Sequence, residues 1–248
     1  MKSKLIHELD NVIYLLEHKA LNRTAHWQQQ IKRAQPHEDK LKKAIESMFS
    51  KQKVTALEKL KGAVNRNHEL LDVKQARESY IAAVPAIVLP FIQMEMQYGY
   101  NSINPGGSIP SIVNQQALDW LNTRIGWAAD ELGEQTASQL SQILSDGYAQ
   151  GLSMQQIAQN IQDASCFSDA RSMLVARTEI MGASNFGNTA GYKAAGVTQV
   201  QWKTAEDERT CEICDPMDGD IEDIDDAPPL PASTHPNCRC IWQPVIPD

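Results

Sequence analysis

The sequence predicts an α+β protein: a mostly helical N-terminal region, a helical lead-in, and a small β unit stapled by a Cys/His cluster. Three observations carry this. Apolar residues recur at helical spacing through most of residues 3–195. Two short alternating segments follow residue 198. Four of the five cysteines fall between Cys211 and Cys240.

Leu5, Leu9, Val12, Leu16 and Ile31 predict an amphipathic helix over residues 3–34, stopped by Pro36, which lacks the amide hydrogen and crowds the preceding turn. A second helical pattern runs from about Glu38 to Ala83 through Leu41, Ile45, Met48, Leu57, Leu60 and Leu71, with Gly62 as an interruption. Pro85, Pro90 and Asn104-Pro105-Gly106-Gly107 punctuate the next stretch. They divide a helical N-terminal region, 1–105, from a second module, 112–248.

The second module resumes with helical spacing. Val113–Leu132 carries Ala117, Leu118, Leu121, Ile125 and Ala128, and Thr136–Leu144 continues it to an end near Gly147. Ser153 suits the N-cap of a short helix through Ile161, because its hydroxyl can accept from an orphan backbone N–H. Ser168 or Asp169 caps a helix to about Ala195, with Gly196 as its stop. Gly182, Gly187 and Gly191 lie inside it, each costing up to ~1 kcal/mol relative to Ala, so close packing on another element is expected there. Thr198–Thr204 and Arg239–Val245 alternate like strands.

Composition narrows the class. Apolar residues at 42% and charged residues at 22% are ordinary for a globular chain and exclude collagen, full disorder and a small disulfide scaffold. The most apolar run, Ile81–Ile92, carries two prolines and falls short of the ~20 residues of a membrane span. Glu8, Asp10 and Glu17 interrupt the N-terminal apolar stretch, so no secretory leader is expected. Residues 1–80 hold 16 Lys/Arg against 10 Asp/Glu, whereas the rest holds 7 against 21. The basic region suits nucleic acid, an acidic protein surface or plain solvent; the acidic region repels a phosphate backbone.

The sharpest motif is Cys211-x2-Cys214 followed by His235-x2-Cys238-x-Cys240. A C-x2-C turn supplies adjacent thiolates, and zinc takes four such ligands in a tetrahedron. Five candidates compete for four seats: an all-cysteine set leaves His235 free, and a set of three cysteines and the histidine drops one cysteine. An odd cysteine count without a leader favours a structural zinc over disulfides. The acidic stretch Glu206–Asp226 does not fit calcium-loop spacing and reads as solvated surface. Cys166 reads as a buried thiol. Arg177-Thr178-Glu179 reads as mid-helix, with Asp207 or Glu179 pairing Arg177 in a structural ion pair.

Together, Ala176-Arg-Thr-Glu179, Asn185, Gly187, Trp202, Asp207-Glu-Arg-Thr210, Gly219 and His235-Pro-Asn-Cys-Arg-Cys240 resemble the phage Mu F-like minor head proteins, the phage head morphogenesis family. The order and approximate spacing hold from about 115 to 246. Gly151-Leu-Ser-Met-Gln-Gln-Ile-Ala158 resembles that family's lead-in.

The resemblance implies a minor capsid protein of a tailed-phage or prophage head, present in few copies inside the virion near the portal vertex, with a part in virion assembly and DNA packaging or delivery. It implies portal, coat or scaffold proteins as partners, no enzyme activity and no fused domain after Asp248. Many members carry a basic residue and a histidine where this chain has Cys211 and Cys214. That suggests Cys214, His235, Cys238 and Cys240 as the shared ligands, with Cys211 extra. Arg177, Glu179, Asn185, Trp202, Asp207 and Arg209 would form a structural network. DNA would be bound non-specifically through the basic helices. The competing expectation is an enzyme: a nucleotidyl-group transferase using Arg177 and Glu179, or a metal-dependent hydrolase at the cysteines.

Overall fold

The structure, a computed structural model, describes residues 2–63, 68–110, 112–205 and 210–246, with side chains from Thr24 onward in the first helix and from Gln115 onward in the fourth. Among the described residues, six α-helices precede and flank a three-stranded sheet: α1 (Lys2–Leu60), α2 (Val73–Ala83), α3 (Pro85–Ile103), α4 (Ile112–Ala149), α5 (Met154–Gln162), α6 (Asp169–Ala194), β1 (Gln199–Lys203), β2 (Ile221–Asp223) and β3 (Ile241–Pro244).

The stop expected at Pro36 does not occur: α1 is continuous through it. Proline removes one hydrogen bond of the helix ladder, a local loss. Trp27, Ala34, Leu41 and Met48, seven residues apart, are all buried on one side of α1, so the packed stripe crosses Pro36 without a change of phase. The residues Leu5, Leu9, Val12 and Leu16 that suggested the first turns have side chains outside the described set. The helix does end before Gly62, whose N–H returns to the Lys59 carbonyl. Pro85 then opens α3, where a missing N–H costs nothing.

The continuous pattern expected from Glu38 to Ala83 is therefore two helices. Asp72 caps the second by accepting from the Gln75 N–H at 2.9 Å. Val113–Leu132 and Thr136–Leu144 join in α4. Ser153 and Gln156 form a reciprocal capping box at α5, and Ser168 caps α6. Gly196 stops that helix with φ +90.

Glycines let α6 lie against α3. A Cβ on Gly187 would stand 2.9 Å from the Ile92 carbonyl oxygen, and one on Gly191 would collide with Met96 and Tyr100 backbone. The expected close packing is therefore found at those two positions. At Gly182 a Cβ would meet only ordinary contacts. The central core gathers Trp27, Leu41, Phe91, Ile92, Ile125, Ile180 and Ile241, and so draws on α1, α3, α4, α6 and β3 together. A second core joins the C-terminal end of α1 to α4 and α5 through Leu60, Leu144, Ile157 and Ile161, with the buried Cys166 in it.

The sheet has strand order β2-β1-β3, all antiparallel. Strands were expected at 198–204 and 239–245 and are found; β2 is too short and too acidic to show a period. Ile221 pairs with Gln201 and Ile241 with Lys203. The end of β1 and the starts of β2 and β3 thus share one edge of the unit. The loops entering β2 and β3 are those that carry the cysteines.

Candidate metal centre

The topology converges both halves of the spaced motif. Cys211 and Cys214 sit in the β1–β2 loop, where the N–H groups of Cys214 and Asp215 both donate to the Cys211 carbonyl in a tight turn. His235, Cys238 and Cys240 sit on the approach to β3. His235 Nε2 lies 3.1 Å from Cys211 Sγ and 3.3 Å from Cys214 Sγ. Cys214 Sγ lies 3.7 Å from Cys238 Sγ. Two groups of donors, each close enough to hold one metal ion, therefore overlap at Cys214: Cys211, Cys214 and His235 on the outer side, and Cys214, Cys238 and Cys240 on the inner. His235 thus belongs to the outer group, close to both Cys211 and Cys214.

The surroundings polarise these thiols. A hydrogen bond from the Cys240 thiol draws Cys238 down to about 5 against the opposing effect of burial. The same hydrogen bond, with burial, pushes Cys240 far up. Burial lifts Cys214 to about 12. The Cys240 N–H also donates to Cys238 Sγ at 3.4 Å. In the tautomer with its proton on Nδ1, His235 donates to the Pro236 carbonyl at 2.9 Å. That leaves Nε2 bare toward the sulfurs. The five donors line a cavity of about 170 Å³ together with Arg177, Asn237 and Arg239.

Four of the other expected residues, Arg177, Glu179, Asn185 and Trp202, are described. Asn185, buried on α6, donates to the Cys240 carbonyl and accepts from the Trp242 N–H, both at 3.1 Å, which fixes the start of β3 to the helix. Trp202 packs edge-on against Trp242 across the β1–β3 pair, with ring centres 5.1 Å apart. Asp207 and Arg209 lie outside the described residues. Arg177 and Glu179 do not pair with each other. Glu179 takes both nitrogens of Arg124, at 2.9 and 2.8 Å. Arg177 Nε points to Glu38 Oε2 at 3.2 Å, and its terminal nitrogen donates to Asn237 Oδ1 at 2.5 Å.

Sequence reasoning gave no role to Glu38, Trp27 or Arg124, and it quoted Asn237 and Arg239 only within the His235–Cys240 motif. Glu38 had a signal: it is an acid on the buried stripe of Ala34, Leu41 and Ile45, and it is fully buried. Trp27 donates its indole N–H to the Arg239 carbonyl at 2.9 Å, so α1 reaches the ligand loop directly.

Over residues 138–243 the chain matches the family described as Phage Mu protein F like protein. No curated protein and no solved structure matches it. The matched segment holds α6, the strands through Gln243 and all five metal-type donors.

Proposed function

We propose that this chain, phage Mu F-like over residues 138–243, is a minor structural protein of a tailed-phage or prophage head, acting in capsid morphogenesis near the portal. The family match carries the reading; it supports head morphogenesis as the process and other head proteins as the company. Residues 1–105 are the helical region that meets portal, coat or scaffold protein. Residues 112–248 are the head-morphogenesis module, sharing its core with them. Lys32, Lys40, Lys43 and Lys51 are exposed on α1 and would meet DNA phosphates without base readout. Among the described residues, no single helix is long and apolar enough to cross a membrane.

The donors fit zinc. Zinc–thiolate bonds of about 2.3 Å in a tetrahedron put sulfurs about 3.7 Å apart, the separation of Cys214 and Cys238. His235 adds an imidazole fixed by the Pro236 carbonyl, as metal-bound histidines are. Four of Cys211, Cys214, His235, Cys238 and Cys240 would hold the ion. A site closed by four protein ligands supplies structural cross-linking rather than an open position for water. The protein's own residues orient those donors: Asn185 holds the Cys240 carbonyl, and the β1–β2 turn holds Cys211.

The transferase form of the enzymatic reading needs Arg177 and Glu179 to converge on one cleft, and the hydrolase form needs an open position at the cysteines. Arg177 borders the cysteine cavity, whereas Glu179 is turned into its pair with Arg124. That separation favours assembly over the transferase reading. Co-expression with the portal, scaffold and coat genes of the same phage, followed by gradient sedimentation, tests it. The chain is expected to sediment with heads or portals. A chain left at the top of the gradient, with heads that form and package normally without it, overturns the reading.

A further inference from the structure

We propose that metal binding and the docking of α1 residues Trp27–Glu38 are thermodynamically linked, with the His235–Cys240 loop as the clasp on that stretch of helix. This rests on the reading of the Cys/His cluster as a metal site.

Arg239 stands between two candidate ligands. Its carbonyl accepts the Trp27 indole N–H at 2.9 Å, and its guanidinium lies 3.8 Å from Glu38 Oε2. The same carboxylate oxygen takes Arg177 Nε at 3.2 Å. Arg177 in turn is held by Asn237, another loop residue, whose N–H donates to Thr178 Oγ1 at 3.0 Å. Glu38 is fully buried, and its Oε1 has no hydrogen-bond partner among the described residues. A buried carboxylate is tolerated only with its counter-charges in place. One of those in ion-pair range among the described residues belongs to the loop, and the other is steadied by it.

The loop is otherwise tied at Cys240, whose carbonyl accepts from Asn185, and it has no regular strand pairing of its own. Asn237 has φ +70, outside any strand geometry, and regular pairing begins only at Ile241. A metal that fixes His235, Cys238 or Cys240 therefore fixes Arg239 against α1, and Asn237 against Arg177 and Thr178 of α6. By reciprocity, α1 docked on the loop raises metal affinity. The far end of α1 supplies an internal reference, because Ala56 and Leu60 pack in a separate core with α4 and α5.

Two measurements on the full chain test this. Hydrogen exchange with and without a zinc chelator is expected to show protection over residues 27–38 falling about tenfold more than over residues 53–60. Zinc affinity, read by competition with a chromophoric chelator, is expected to weaken about five- to tenfold in Glu38→Gln and in Trp27→Phe. Trp27→Phe keeps an aromatic ring in the core while it removes the indole donor, so it stands if Glu38→Gln fails to fold. Equal zinc affinity in the wild type and Trp27→Phe, with exchange over 27–38 unmoved by chelation, overturns the linkage while leaving the metal site intact. A wild-type chain that takes up no zinc overturns the metal reading itself.

Discussion

At the crossing of α1, α3 and α6, helix backbones meet through Gly99, Gly187 and Gly191, and the buried carboxylate of Glu95 is satisfied from several sides at once. Arg33 reaches it with two nitrogens at 2.6 and 2.9 Å, and Ser184 Oγ donates at 3.0 Å. In the β unit, three cysteines stand among the buried residues beside Val200, Trp202 and Trp242. One region is held by many residues far apart in the chain. The other packs a smaller apolar cluster around sulfur and imidazole donors that lie at short spacing in the chain. The first is over-determined by packing, so no single ligand governs it; on the metal reading proposed above, the second depends on a few sulfurs and one imidazole.

Removing the ligand that both donor groups share should therefore have the largest effect. Cys214→Ser is expected to abolish zinc uptake, measured by elemental mass spectrometry. It should also erase the near-ultraviolet circular dichroism of the Trp202–Trp242 pair. Structural zinc in peptides contributes an apparent ~10–16 kcal/mol at neutral pH, more than a sheet of this size holds in reserve. An ordered tryptophan pair in a metal-free variant would erase the contrast between the regions.

The helical crossing should lose less. Glu95→Ala leaves Arg33 buried without its carboxylate and is expected to destabilise by about 3–5 kcal/mol in urea unfolding. Replacing both partners, as in Glu95→Leu with Arg33→Met, should restore much of that loss, because it removes the stranded charge. A double variant no better than the single would show that shape at this crossing, rather than charge, sets the cost.

The same crossing has a pH signature. His26, bonded to Tyr192 OH at 2.8 Å, is lowered to about 4 by burial and by the nearby Arg33 charge. The unfolded chain protonates this imidazole near its ordinary value and the folded chain resists. Stability is therefore complete above about pH 6.5 and is lost as the pH falls toward about 4, by roughly 3 kcal/mol from this group. The difference between wild type and His26→Gln in urea midpoint should shrink over that range. A constant difference would remove the histidine from the account.

What the sequence disclosed follows the same division. The C-x2-C and H-x2-C-x-C spacings were visible because ligands supplied by one turn must be near neighbours in the chain. The helices of the second module were visible through their period and caps. Arg124 with Glu179, Arg177 with Glu38, and Arg33 with Glu95 were not, because nothing local records a partner 55 or more residues away. Arg177 was assigned a partner on its own helix or in the acidic loop, and the structure supplies one from α1. Pro36 misled for a related reason. Its local cost was legible, and the tertiary stripe that carries α1 past it was not.

The smallest effect should fall where structure is most local. Ser153 accepts the Gln156 N–H at 3.3 Å, and Gln156 returns to the Ser153 N–H at 2.8 Å. Ser153→Ala removes one half of this box and is expected to cost ~1 kcal/mol. It should act on α5 alone, since Ile157 and Ile161 stay seated in the second core. Thermal unfolding should shift by a few degrees, with zinc uptake and the pH profile of His26 unchanged. A larger loss that also lowered zinc affinity would mean that the second core and the metal loop communicate through α1, which contributes side chains to both. The independence of the two regions would then end at that helix.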